Sequence, residues 1–159
     1  MKNLVVYYSL EGNTQKAAEK IAQGLNADIL KLEPVKDVPK NNGKYFIGGM
    51  QAMFGACVKI KPIKLNPKEY DRIILGTPVW ADKAAPAVNT FLKKYNVEDK
   101  VTALFTVSGG GNNERCESNM KKKLHHLKAI VALTDVKNPI SSENDRRLKD
   151  FVGELLRGQ

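Results

Sequence analysis

The chain has 159 residues, 42% of them hydrophobic, and 26 lysines and arginines against 17 aspartates and glutamates give it a net charge of +9. That size suits one domain, residues 1–159, with a sizeable core, and the composition excludes a disordered chain, while the lack of any run of roughly 18 apolar residues excludes a membrane-spanning helix. The charge favours anionic partners. However, the basic residues are scattered, and the longest run, Lys121-Lys122-Lys123, has no interleaved aromatics, so nucleic acid is not expected as a partner.

Residues 4–8, LVVYY, read as a strand buried on both faces. They end in polar turn residues, which argues for a strand and against a secretory leader. Residues 14–25 place Ala17, Ala18, Ile21, Ala22 and Leu25 on one helical face. Residues 27–33 are a weaker strand carrying charges, as an edge strand does. The stretch 40–62 holds Tyr45, Phe46, Met50, Met53 and Phe54. It reads as a short helix packed on the sheet or, because long loops in compact domains are often functional, as a lid or docking surface.

Residues 71–77, DRIILGT, are another buried strand, and Pro86 opens a helix through Val88, Phe91, Leu92 and Tyr95. Residues 101–107 form a strand, and 114–127 a helix with Cys116, Met120, Leu124 and Leu127 along one stripe. His125 and His126 face different directions and are expected in solvent, with no metal. Residues 129–133 are the fifth strand. Ser142-Glu143-Asn144-Asp145 reads as a variant N-cap to a last helix burying Leu148, Phe151, Val152, Leu155 and Leu156. Cys57 and Cys116 belong to no C-x-x-C or ligand cluster, which predicts reduced thiols in a cytoplasmic protein.

Strands alternating with about five helices predict an α/β fold: a five-stranded parallel sheet with right-handed crossovers and helices on both faces. Ligands of such sheets bind beyond the carboxyl ends of the strands. Three loops lie there. SLEGNT, residues 9–14, offers hydroxyls, an amide and Gly12 at the start of a helix, which suits an anion; an ordinary turn capped by Asn13 or Thr14 fits the spacing equally. It lacks the lysine of a nucleoside-triphosphate loop. The loop of residues 77–86 carries Trp80, the only tryptophan, as a core lid or as a flat surface for a planar ligand. SGGGNN, residues 108–113, is a flexible turn or a bare backbone that a ligand approaches closely. Together, at one sheet edge, the three suit a phosphorylated planar cofactor.

The segment 5–21, with Tyr7, Ser9, Gly12, Thr14, Ala18 and Ile21, resembles the signature of the flavodoxin family. The segment GTPVWADKAAPAVNTFL and the SGGG loop resemble those of a bacterial flavodoxin-like subfamily, so the likeness spans nearly the whole chain. It implies a flavodoxin-like three-layer sandwich holding non-covalent flavin mononucleotide (FMN). By this resemblance Ser9, Leu10, Glu11, Gly12, Asn13 and Thr14 hold the phosphate. Pro78, Val79, Trp80 and Ala81 line one side of the flavin ring, and Ser108, Gly109, Gly110, Gly111 and Asn112 the other. No catalytic acid or base is implied.

Three features depart from the family's electron carriers. The third loop has no aromatic, so one flavin face is open. Ala81 stands where carriers often have glycine, in a turn that needs a positive φ; this predicts weaker stabilisation of one-electron-reduced flavin. The chain is basic where carriers are acidic, and a positive field attracts NAD(P)H. Two roles follow: a reductase passing electrons from NAD(P)H to a small acceptor such as a quinone, or an electron carrier docking on a redox partner protein. A flavin-free interaction or regulatory domain on the same fold is the third. Phosphoacceptor receivers are disfavoured, because Tyr8-Ser9 and Thr77 do not supply their aspartates.

Overall fold

The computed structural model describes residues 1–38, 55–135 and 142–158. Its elements in chain order are β1 Asn3–Tyr7, α1 Asn13–Leu25, β2 Asp28–Lys31, β3 Arg72–Trp80, β4 Lys83–Ala84, α2 Pro86–Tyr95, β5 Val101–Ser108, α3 Glu114–Lys121, β6 Ala129–Thr134 and α4 Ser142–Arg157. Five strands form a parallel sheet in the order β2-β1-β3-β5-β6, as the alternation predicts. The sixth, β4, is a two-residue antiparallel addition to β3.

Alternate residues of each strand serve opposite faces, and two cores result. Val5, Tyr7, Ile74 and Phe105 pack under α1 and α4 with Ile21, Leu148 and Phe151. Leu4, Val6, Ile73 and Leu104 pack under α2 and α3 with Phe91, Cys116 and Met120. Gly76 pairs with Phe105 across the sheet centre, where a Cβ on Gly76 would lie 2.0 Å from the Phe105 ring. At the amino edge Arg72 is buried, donating to Asn3 Oδ1 at 3.0 Å and to the Leu155 carbonyl at 3.0 Å, which ties the end of α4 to the sheet.

Several boundaries differ from the sequence expectation. β2 is an edge strand but only four residues long. α3 stops at Lys121, six residues before the expected end at Leu127. The three consecutive lysines sit where the helix unwinds into turns, and Leu124 stays buried through that turn by a 2.9 Å bond from its N–H to the Met120 carbonyl. Leu156 is 48% exposed while Leu155 is buried, because the core stripe runs through 148, 151 and 155 and position 156 is rotated off it. Asn144, in the first turn of α4, accepts from the Thr134 N–H at 3.1 Å and donates to the Thr134 carbonyl at 2.7 Å, which ties the helix start to the end of β6. Tyr45, Phe46, Met50, Met53 and Phe54 lie outside the described residues, as does any fifth helix there.

Candidate functional site

β1, β3 and β5 are adjacent, so their carboxyl ends bring the three loops together. They enclose a cleft of about 270 Å³.

The first wall leaves β1 and enters α1. Gly12 is the N-cap residue at φ 97°, a torsion that glycine adopts without steric cost. No side chain caps the helix, so neither Asn13 nor Thr14 plays the capping role the spacing allowed. The first-turn amides of α1 and the positive end of its dipole therefore open onto the cleft that Asn13 and Thr14 line. Ser9 and Thr14 are buried, and the Gly12 N–H donates to Ser9 Oγ at 3.1 Å, which fixes the turn. Leu10 and Glu11 also line the cleft, and Glu11 is exposed.

The second wall is a strand where the sequence suggests a loop. β3 runs through Pro78, Val79 and Trp80, all on the cleft, and turns back into β4 with Trp80 opposite Lys83. Ala81 and Asp82 make the turn at φ 46° and 63°, the double positive φ of a tight primed hairpin turn. The positive φ that counted against alanine is thus already present, at a cost of about 1–2 kcal/mol. Thr77 Oγ1 accepts from the Ala85 N–H at 2.9 Å and closes the hairpin base.

The third wall follows β5. Ser108 and Gly109 line the cleft with Val107. Gly111, at φ 73°, packs where a Cβ would sit 2.9 Å from Thr134. The loop is anchored by Asn113, which is 1% exposed. Its amide donates to Thr106 Oγ1 at 2.8 Å and to the Thr106 and Leu133 carbonyls at 3.2 and 3.3 Å. Its Oδ1 accepts the Ser108 hydroxyl.

Of the residues named from the sequence, Gly12, Ala81, Gly110, Gly111 and Asn112 do not line the cleft. Gly12 and Gly111 shape the backbone behind it, and Ala81 lies in the turn beyond Trp80. Residues the sequence reading missed are Val107 and Asp135 on the lining and Asn113 beneath it. Asp135 follows β6 directly, so the carboxyl-edge rule applied to the next strand finds it. The described lining contributes no lysine or arginine, so the +9 charge acts on this cleft from a distance. A larger hollow of about 490 Å³ between α1 and α4 carries no aromatic side chain and is spanned by the Lys20–Asp145 ion pair.

Cys116 is buried and its thiol is pushed up to about 12, chiefly by burial, which leaves it unreactive, whereas Cys57 is exposed. His125 and His126 are exposed, and no metal-ligating cluster occurs among the described residues.

The sequence model of the flavodoxin family matches residues 2–153. The chain belongs to the flavodoxin family. This flavodoxin-family chain is similar to a flavoprotein of Lactobacillus acidophilus crystallised in complex with FMN. The two share 25% identity and a TM-score of 0.69, covering 92% of this chain and 97% of that one. The solution structure of the apo form of the flavoprotein from the same organism gives 26% identity and a TM-score of 0.58 over 91% and 95% of the two chains. An uncharacterised protein of Archaeoglobus fulgidus is 25% identical over 95% of this chain and 96% of its own length.

Proposed function

We propose that this flavodoxin-family protein binds FMN non-covalently in the three-walled cleft and passes electrons through it. The observation that carries the reading is the first wall: a helix N-terminus with no side-chain cap, opened by Gly12 at φ 97°, two buried hydroxyl residues beside it, and the only tryptophan on the neighbouring strand. Amide and hydroxyl donors fit a phosphate, and the indole fits a planar ring. The FMN complex of the Lactobacillus relative supports the same ligand.

In this reading Ser9, Leu10, Glu11, Gly12, Asn13 and Thr14 form the phosphate cradle. Pro78, Val79 and Trp80 form one side of the ring slot and Ser108 and Gly109 the other, with Ala81, Gly110, Gly111 and Asn112 in the turns beyond them. Bound FMN supplies the redox chemistry; the protein binds, orients and tunes it. The glycine side of the slot has no aromatic side chain, which favours a small acceptor or a nicotinamide stacking there over a sealed carrier site. The partners are therefore NAD(P)H and a small acceptor such as a quinone, with a redox partner protein as the other role. A reducing, cytoplasmic setting suits the exposed Cys57, and no described helix is long and apolar enough to cross a membrane.

The test is a titration of flavin-free protein with FMN, followed by visible absorption and Trp80 emission. The expected result is a perturbed flavin spectrum with quenched tryptophan. An unperturbed spectrum at high protein concentration would reduce the protein to a flavin-free binding domain. Turnover of NAD(P)H with a quinone, without added reductase, then separates reductase from carrier.

A further inference from the structure

We propose that Tyr8 and Asp37 are positioning residues for the flavin site, a hydrogen-bonded pair that sets the plane of the Trp80 indole. The inference rests on the FMN reading for its consequence and on the geometry alone for the clamp itself.

Tyr8 follows β1 directly and is 2% exposed. Its ring meets Trp80 edge to face, with centroids 5.5 Å apart and planes at 86°. This arrangement suits aromatic quadrupoles and disfavours rotation of either ring. Tyr8 is itself held at both ends. Its N–H donates to the Gly76 carbonyl at 3.3 Å, on the strand that carries Trp80. Its hydroxyl donates to Asp37 Oδ1 at 2.6 Å, and the same oxygen accepts the Val38 N–H at 2.8 Å. Pro34, Val58, Pro86 and Ala87 wall the space around the pair. Burial first, and then the Asp37 carboxylate, push the Tyr8 hydroxyl far above its ordinary value, so it remains a donor at any working pH. Trp80 lines the cleft and is itself partly exposed. The Tyr8 ring is the buried wall against which it rests.

Tyr8→Phe removes the donor and keeps the ring. Expected are lower emission anisotropy of Trp80 in the flavin-free protein and an FMN Kd raised about fivefold, the scale of one lost partly buried hydrogen bond. Asp37→Asn keeps an acceptor and stays near wild type. Asp37→Ala, at an exposed position, reproduces Tyr8→Phe, and the double variant adds nothing further. Tyr70→Phe is the matched control. It deletes the same atom from a 2.7 Å bond to Asp28 at the opposite end of the sheet, so it carries a comparable stability cost. It should leave Trp80 anisotropy and FMN affinity unchanged.

The proposal is overturned if Tyr8→Phe and Asp37→Ala leave both readouts at wild-type values, or if Tyr70→Phe moves them equally. If Tyr8→Phe does not fold, Asp37→Ala decides by the same readouts. Trp80→Ala binding FMN as tightly as wild type would sink the assignment of Trp80 to the flavin slot, while the anisotropy arm still decides the clamp.

Discussion

The side-chain amide of Asn113 reaches from the start of α3 down between β5 and β6 and gathers Thr106, Leu133 and Ser108 around itself. Replacing it by alanine strips buried carbonyls of their donor. The expected loss is about 1–3 kcal/mol, read as a lowered denaturant midpoint. FMN affinity should fall with it, because Ser108 loses the partner that holds it on the cleft. The sequence reading stopped one residue short, at Asn112. An asparagine before a helix reads as a cap or turn residue, and nothing local shows that its amide serves the sheet. Gly76 is a second residue whose reason is tertiary: the Phe105 ring across it is visible only in the strand register.

Among elements, β1, α1, β5 and β6 fall within about a residue of their expected bounds. Their apolar runs admit one period each. The end of β3 was not legible, since its extension to Trp80 depends on β4, and the Ala81-Asp82 turn lacks the Asn-Gly or Asp-Gly signature of such hairpins. The length of α3 was misread because the apolar stripe continues through Leu124 after the helix has ended. For α1, the feature that matters is its opening. Gly12→Ala forces a side chain into a left-handed torsion at about 1–2 kcal/mol, visible in thermal unfolding. It should weaken FMN more than riboflavin, which lacks the phosphate that the proposed reading places at α1; equal weakening would remove the phosphate from this helix.

At the scale of the molecule, a charge of +9 surrounds a cleft whose described lining has no basic side chain. Short-range binding and long-range attraction are thereby separated. Reduction by NADPH, followed by stopped flow, should slow as ionic strength rises from about 0.01 to 0.15 M, over which the screening length falls from about 30 to 8 Å. FMN affinity should change little over the same range if, as proposed, amides and hydroxyls hold the phosphate at contact. A rate insensitive to salt would make the net charge irrelevant to the donor.

In the proposed reading the ring slot is a vise with unlike jaws. One jaw is β3, stiffened by its ribbon with β4 and backed by Tyr8. The other is bare backbone, with Gly109 on the cleft and Gly110 just beyond it: neither has a positive φ, and nothing lies within 4 Å of where their side chains would begin. No torsion and no neighbour in the described fold demands glycine at either position. Padding on that jaw would thin the gap one side chain at a time, so the choice of what lies against the ring is exercised there by what the chain leaves out.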